Sequence, residues 1–185
     1  EPYAAFLDFL VNTPDTAGKL LREDGTVLVF DFGGGTCDVA IFRRDPLQGG
    51  MLGVGLLGTS RYHRIGGGDI DRAIVHGHLI PTLLERYRLS RTAVSFADKR
   101  RRFEPVLLPV AEQLKRALCQ RLRAQIEEGD ATSAVEVVSA GDHCIEWNER
   151  ELFLSDARLD QATFEKLLRP FLEPHPNKTA SDEYV

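Results

Sequence analysis

The sequence predicts a mixed α/β fold, and three observations carry that expectation. A short, almost wholly apolar run, Thr26 to Asp31, passes through a glycine turn into Cys37 to Phe42, where apolar and polar residues alternate. Three apolar stripes at helical spacing follow, with two further strand-like runs between the second and the third. The hydrophobic period thus changes from 2 to 3.6 along the chain, as in a domain that lays helices on sheet.

Glu1 to Val11 reads as a helix that begins before the first residue, with Ala4, Ala5, Leu7 and Phe9 suited to packing, and Asn12 to Gly18 breaks it. Thr26 to Asp31 is expected as a strand buried on both faces. Gly33-Gly34-Gly35 would turn it into the antiparallel strand Cys37 to Phe42. A third strand is expected in the Ser60 to Ile65 half of the segment that starts at Met51. The first later helix starts after Gly66-Gly67-Gly68, with Asp69 as its cap, and runs to about Leu89, kinked or broken at Pro81. Ile70, Ile74 and Leu84 share its apolar face. The second takes Pro109 into its first turn, repeats Val110, Leu114, Ala117, Leu118 and Leu122, and ends at Glu127-Glu128-Gly129. Ala134 to Val138 and Cys144 to Leu154 read as strands. Asp160 caps the third helix, whose stripe is Phe164, Leu167, Leu168, Phe171 and Leu172. The polar tail after Pro174 is expected to be mobile.

At 185 residues, with 43% hydrophobic and 28% charged, the chain suits one compact domain or two small subdomains. A net charge of −5 argues against a general attraction to nucleic acid. No run approaches the ~20 apolar residues of a membrane span. Cys37, Cys119 and Cys144 are odd in number and form no C-x-x-C, so no zinc site or disulfide framework is expected and a reducing compartment is favoured. An opening at Glu1, with neither initiator Met nor signal-peptide pattern, is expected of a piece of a longer cytosolic protein.

The strongest chemical signal is Asp31-Phe32-Gly33-Gly34-Gly35-Thr36 at a strand end. Three glycines let the backbone fold sharply and bring its N–H groups against an anion, because no Cβ blocks the approach. Thr36 adds a hydroxyl donor. Asp31 can hold a water on a magnesium ion that keeps most of its hydration shell, and Asp38 is a second carboxylate in reach of the same metal. An ordinary hairpin with a glycine-rich turn is the competing reading, but the strand, the Asp and the Thr all fit a phosphate. No Lys-Ser/Thr pair follows the glycines, so this is not a Walker A loop.

Val27 to Phe42 resembles the second phosphate-binding hairpin of the seventy-kilodalton heat-shock chaperone family, within the actin-like ATPase superfamily. Three more segments follow in the family's order. Glu1-Pro2-Tyr3-Ala4-Ala5 is similar to its Glu-Pro-x-Ala-Ala, Gly66-Gly67-Gly68-Asp69-Ile70-Asp71 to its Gly-Gly-x-Asp-(Phe/Ile)-Asp helix start, and Glu112 to Leu118 to its Glu-x-x-Lys nucleoside helix. Actin and sugar kinases share the hairpin idea but not this combination. The resemblance covers about residues 1 to 173.

It implies the second lobe of an actin-like (ribonuclease H-like) ATPase domain: a core sheet carrying the hairpin, plus a peripheral helix-and-sheet subdomain. Residues 1–65 with 159–173 would form the inner subdomain, 66–158 the outer one and 174–185 the tail. ATP or ADP with Mg²⁺ would be the ligand of the intact protein. Asp31 and Asp38 would sit near the metal, Gly33, Gly34, Gly35 and Thr36 at the β/γ-phosphates, and Gly66 and Gly67 near the phosphates and ribose. Glu112, Lys115 and Arg116 would line the nucleoside pocket, with the Arg116 guanidinium stacked on the base, and Glu1 would stand near the metal and the attacking water. Expected partners are the first lobe of the same protein and a co-chaperone or nucleotide exchange factor on the outer subdomain; nucleic acid and membrane are not expected, and the location would be cytoplasmic. The parent would hydrolyse ATP, whereas this chain alone, lacking the first lobe, would not.

The chain also departs from the family. Cys119 stands where a Ser is usual, Gly68 replaces a Glu, and Pro81, Pro105 and Pro109 interrupt helices that elsewhere run on. The competing function is a non-chaperone member of the superfamily: a filament protein, a sugar kinase or a pseudo-ATPase scaffold. Among the remaining residues, the basic stretch Arg86 to Arg102 reads as a solvated face before an acidic-partner site, none of the five histidines as a metal ligand, Cys37 as a small packed residue and Trp147 as a strand residue of the outer subdomain.

Overall fold

The computed structural model describes residues 2–13, 26–46, 52–60, 64–129 and 133–172. Glu1, most of the break at Asn12 to Gly18, residues 61–63 and the tail lie outside these. Contacts divide the chain into two units, Glu1–Asp69 and Ile70–Val185.

In the first unit, helix α1 (Pro2–Asn12) covers one face of an antiparallel sheet of β1 (Thr26–Phe32), β2 (Cys37–Pro46) and β3 (Leu52–Thr59), in that spatial order. Phe6 is buried and stacks on Phe42 with centroids 4.8 Å apart, and Leu10, one turn on, packs against the same small core as Val27, Val29 and Ala40. The packing stripe of α1 is therefore Phe6 and Leu10, at i and i+4. Ala4, Ala5 and Leu7, expected to pack, are exposed. The expected burial of β1 on both faces is not met either. Its exposure alternates, and Leu28, Phe30 and Phe32 are exposed while Val27 and Val29 turn inward.

The third strand also moves. It forms at Leu52–Thr59, and Ser60 only closes it, donating its N–H to Val39 O at 2.7 Å and accepting from Val39 N–H at 2.8 Å. The free edge of β2 decides this strand; glycines of weak strand propensity pair there because the ladder hydrogen bonds are available.

The second unit begins within α2 (Gly67–Ile74). A π-turn (Val75–Leu79) and α3 (Ile80–Arg86) continue it, so the helical run passes Pro81, and the α-helical pattern is interrupted at the π-turn just ahead of it. Proline has no N–H for the i−4 carbonyl; the π-turn just ahead changes the hydrogen-bond register and puts Pro81 in the first turn of α3. The same device recurs. A single turn α4 (Phe96–Asp98), capped by Ser95, and a second π-turn (Lys99–Phe103) lead into α5 (Glu104–Glu128). Here Pro105 is the first-turn proline and Pro109 lies inside the helix, which starts five residues before the expected Pro109. Gly129 ends it with φ 74°, a conformation that suits glycine.

The strand expected at Cys144 to Leu154 is two. β4 (Glu136–Trp147) and β5 (Arg150–Asp160) form an antiparallel hairpin whose turn residues, Asn148 and Glu149, have φ 49° and 58°. That is the double left-handed turn that matches strand twist, formed here without glycine. The hairpin packs on α5, around Ile145, Leu152, Leu154 and Leu159.

Helix α6 (Gln161–Leu172) is capped as expected: Asp160 accepts from the Thr163 N–H and hydroxyl, each at 2.8 Å. These donors hold the Asp160 carboxyl below its ordinary value. Phe164 is buried and Leu167 and Leu168 pack beside it in the core of the second unit, with which the helix is grouped, although the sequence reading joins it to the first. Leu172, expected on the stripe, is exposed.

Part of the basic stretch is structural. Arg86 donates to Phe153 O and Ser155 O at 3.2 and 3.4 Å, and the Tyr87 hydroxyl accepts from Phe153 N–H at 2.7 Å. Side chains thus close the outer edge of β5, where unpaired backbone groups would otherwise invite another strand.

Candidate functional site

In the first unit the register of β1 and β2 sets Phe32 opposite Cys37 and Asp31 opposite Asp38. Gly33 to Thr36 link the two, and the Gly33 N–H donates to Thr36 O at 2.8 Å. None of Gly33, Gly34 and Gly35 has φ in the left-handed region, so the turn does not need glycine for its shape. What glycine provides is access. A Cβ on Gly34 or Gly35 would meet nothing within 4 Å, so the turn's backbone faces open space.

A second glycine segment braces this turn. Gly67 N–H donates to Gly33 O at 2.9 Å and Gly68 N–H to Gly34 O at 2.7 Å. Gly66 is held so close that a Cβ would stand 2.5 Å from Gly35 N and 2.6 Å from Gly33 O. Asp69, expected to cap α2 from ahead, instead sits inside its first turn and accepts from Gly66 N–H at 3.0 Å. This is the backward half of a capping box.

Asp31 and Asp38 are half-buried carboxylates on directly opposed positions. Like charges so placed repel, and a cation between such groups would relieve the repulsion. Among the described residues no group of three His, Cys, Asp or Glu side chains gathers to hold a metal. Magnesium, which keeps several waters and takes one or two carboxylates, is the cation whose demands two acids meet.

In the second unit, Glu112 and Arg116 are exposed, one turn apart on α5, with their charged groups 4.0 Å apart. They line an open groove of about 400 Å³ with Pro109, Gln113, Ala117 and Gln120. Lys115 lines a different face. Its ammonium is 2.8 Å and 2.9 Å from the two carboxylate oxygens of Asp71, which is buried. Burial pushes the Asp71 carboxyl above its ordinary value, against the opposing pull of Lys115. Sequence reasoning gave Asp71 no role; its place in the Gly-Gly-x-Asp-Ile-Asp segment was the available signal. Cys119 is exposed, and Glu1 lies outside the described residues.

No helix among the described residues is long and apolar enough to cross a membrane. Comparison with known proteins agrees with the resemblance. A family model described as Hsp70 protein matches residues 1–171. The chain is 28% identical over 168 residues to the chaperone protein DnaK of Metamycoplasma hominis, covering 86% of this chain and 26% of that protein. It is 30% identical over 126 residues to the chaperone protein HscA of Buchnera aphidicola subsp. Schizaphis graminum, covering 63% and 17%. It is 33% identical over 95 residues to a heat shock cognate HSP70 protein of Trypanosoma brucei brucei, covering 51% and 12%. The chain therefore spans about a quarter or less of the length of these relatives. A match running through both glycine segments and the Glu112–Arg116 helix means that the chain belongs to the Hsp70 protein family.

Proposed function

We propose that this chain is the part of an ATP-binding domain that supplies its second phosphate loop and one wall of its nucleoside pocket, and that the intact protein uses ATP binding and hydrolysis to close and open its lobes around the ligand. The observation that carries the reading is the braced turn: open backbone at Gly34 and Gly35, held from behind by Gly66, Gly67 and Gly68. A rigid loop with exposed backbone at a strand end suits close approach by a phosphate. Asp31 and Asp38 would hold Mg²⁺ through its waters, and Mg²⁺ would supply charge neutralisation at the phosphates. Thr36 would donate its hydroxyl to the same phosphates. Glu112 would accept from ribose hydroxyls and Arg116 would lay its guanidinium plane on the base.

Phosphoryl transfer to water depends on positioning and charge stabilisation from both lobes, so this chain alone is not an ATPase. The intact protein is the ATP hydrolase, cytoplasmic, with handling of client or partner proteins and co-chaperones as its role. The family match supports this reading over a filament protein, a sugar kinase or a scaffold. Phosphate release from Mg-ATP tests it. The intact protein should turn over ATP and lose about 100-fold or more with Asp31→Ala, while the isolated chain stays at blank. Turnover by the isolated chain that Asp31→Ala abolishes would contradict it.

A further inference from the structure

At the end of α3 the chain puts an arginine where glycine is the norm. Leu89 N–H donates to Leu84 O at 2.8 Å and Arg88 N–H to Glu85 O at 3.0 Å. These are the paired bonds of a Schellman helix end, whose left-handed position is ordinarily glycine. Here that position is Arg88, with φ 53°. A strained backbone of this kind points to a use for the side chain it carries. Arg88 and Arg91 line an open groove of about 370 Å³ with Pro81, Leu84, Glu85 and Leu89. Among the described residues neither guanidinium has a hydrogen-bond or ion-pair partner, although Glu85 lines the same groove. Their neighbours in the basic stretch are engaged. Arg86 is held on Phe153 O and Ser155 O, Arg100 stands 3.8 Å from Glu104, and Arg102 stands 3.8 Å from Asp98.

Between these two arginines in the chain stands Ser90, exposed and in neither helix nor strand. Its hydroxyl oxygen accepts from Thr92 N–H at 3.3 Å and lies 2.9 Å from the Thr92 hydroxyl. Arginine occurs four and two residues before Ser90 and one residue after it, a charge pattern of the sort by which kinases select substrates. We propose that Ser90 is a phosphorylation site and that Arg88 and Arg91 receive the phosphate, pinning the 87–95 loop to the end of α3. In the transfer the Ser90 Oγ bonds to the γ-phosphorus of ATP, and the bond from that phosphorus to the oxygen bridging it to the β-phosphorus breaks. A base of the kinase takes the hydroxyl proton, and ADP leaves. The phosphate adds about −1.5 to −2 charges at pH 7 and three acceptor oxygens, which two forked guanidinium groups can share. The sign of its effect depends on them. A helix C-terminus disfavours an anion, and Glu85 adds repulsion from the groove. Without the two arginines the same phosphate therefore loosens the loop instead of ordering it.

Trp147 is the one tryptophan of the chain and lies in the core of the second unit, so its fluorescence follows the melting of that unit. In the first arm of the test the full chain is treated with an arginine-directed serine kinase and Mg-ATP, and peptide mass spectrometry locates the phosphate. It should enter at Ser90, and Ser90→Ala should remove it from that peptide. In the second arm phosphoserine is installed at position 90 during synthesis, in the unaltered background and in R88Q/R91Q, so that kinase recognition does not enter the comparison. The phosphate should raise the melting temperature by about 2–4 °C in the unaltered background. In R88Q/R91Q it should leave the melting temperature unchanged or lower it. Ser90 left bare, with or without phosphate on Thr92 or Ser95, overturns the site. A melting temperature that does not rise in the unaltered background overturns the seat on the arginines, as does a rise that survives R88Q/R91Q.

Discussion

Gly66 lies where a Cβ atom would stand 2.5 Å from the backbone nitrogen of Gly35. No side chain fits between the brace and the turn, and the neighbours are backbone, which cannot swing aside. Gly66→Ala should therefore push the segment off the turn and cost about 1–3 kcal/mol by denaturant unfolding. Gly34→Ala is the contrast, because its Cβ would meet nothing within 4 Å and its φ is not left-handed. Its stability should change by less than about 0.5 kcal/mol, while phosphate binding falls because the new methyl occupies the open approach. Equal stability of the two variants would count against the brace.

The two shifted carboxyls give opposite pH dependences. Asp71 is raised above 3.8, mainly by burial, so its contribution is fully present below the unfolded value and is lost as pH rises through the folded one. Asp160 is lowered from 3.8, first by the Thr163 backbone N–H, so its contribution is present above the unfolded value and is lost as pH falls through the folded one. Thermal melts across the acid range should show D71N/K115M gaining on the unaltered chain as pH rises through that window. Asp160→Asn, which keeps a capping oxygen, should instead lose ground on the unaltered chain as pH rises from the lowered folded value of Asp160 to 3.8, with no further change above that. Reversal of either slope would refute the assignment.

The β4–β5 turn offers a stabilising change. Glu149 has φ 58°, a region that costs a residue with a Cβ about 1 kcal/mol. Glu149→Gly should raise stability by about 0.5–1 kcal/mol in urea unfolding, the gain reduced by the added freedom of glycine in the unfolded chain. A loss of stability would mean that the Glu149 side chain contributes more than its backbone costs.

What could be read from residues alone was local. The Asp160 cap is a three-residue pattern and forms at 2.8 Å as expected, and the Thr26 to Phe42 hairpin follows from one apolar run, one glycine turn and one alternation. What could not be read depended on partners distant in the chain. Phe6, not Leu7, faces the sheet because Phe42 is there to stack on it. Leu52–Thr59 becomes the third strand because the edge of β2 is free. Both π-turns adjust helices around prolines, which a 3.6-residue pattern reads as breaks. Within the candidate site the turn glycines, Asp31, Thr36 and Asp38 are legible by residue type and spacing, whereas Glu112, Lys115 and Arg116 are picked out by the resemblance. Asp71 is neither, since its significance lies in Lys115, 44 residues away.

The central claim, that the braced glycine turn receives nucleotide phosphates, is tested most directly by following amide resonances of the chain during titration with Mg-ATP. On an open face charge-assisted contacts stay in water, where they are about fivefold or more weaker than in a dry site. Shifts are expected at Gly33 to Thr36 and at Glu112 and Arg116, saturating at about millimolar concentration, which is ~4 kcal/mol of net affinity. Micromolar saturation would contradict the proposal that a second lobe is needed to complete the site. Shifts that spare Gly33 to Thr36 altogether would contradict the phosphate-loop assignment itself.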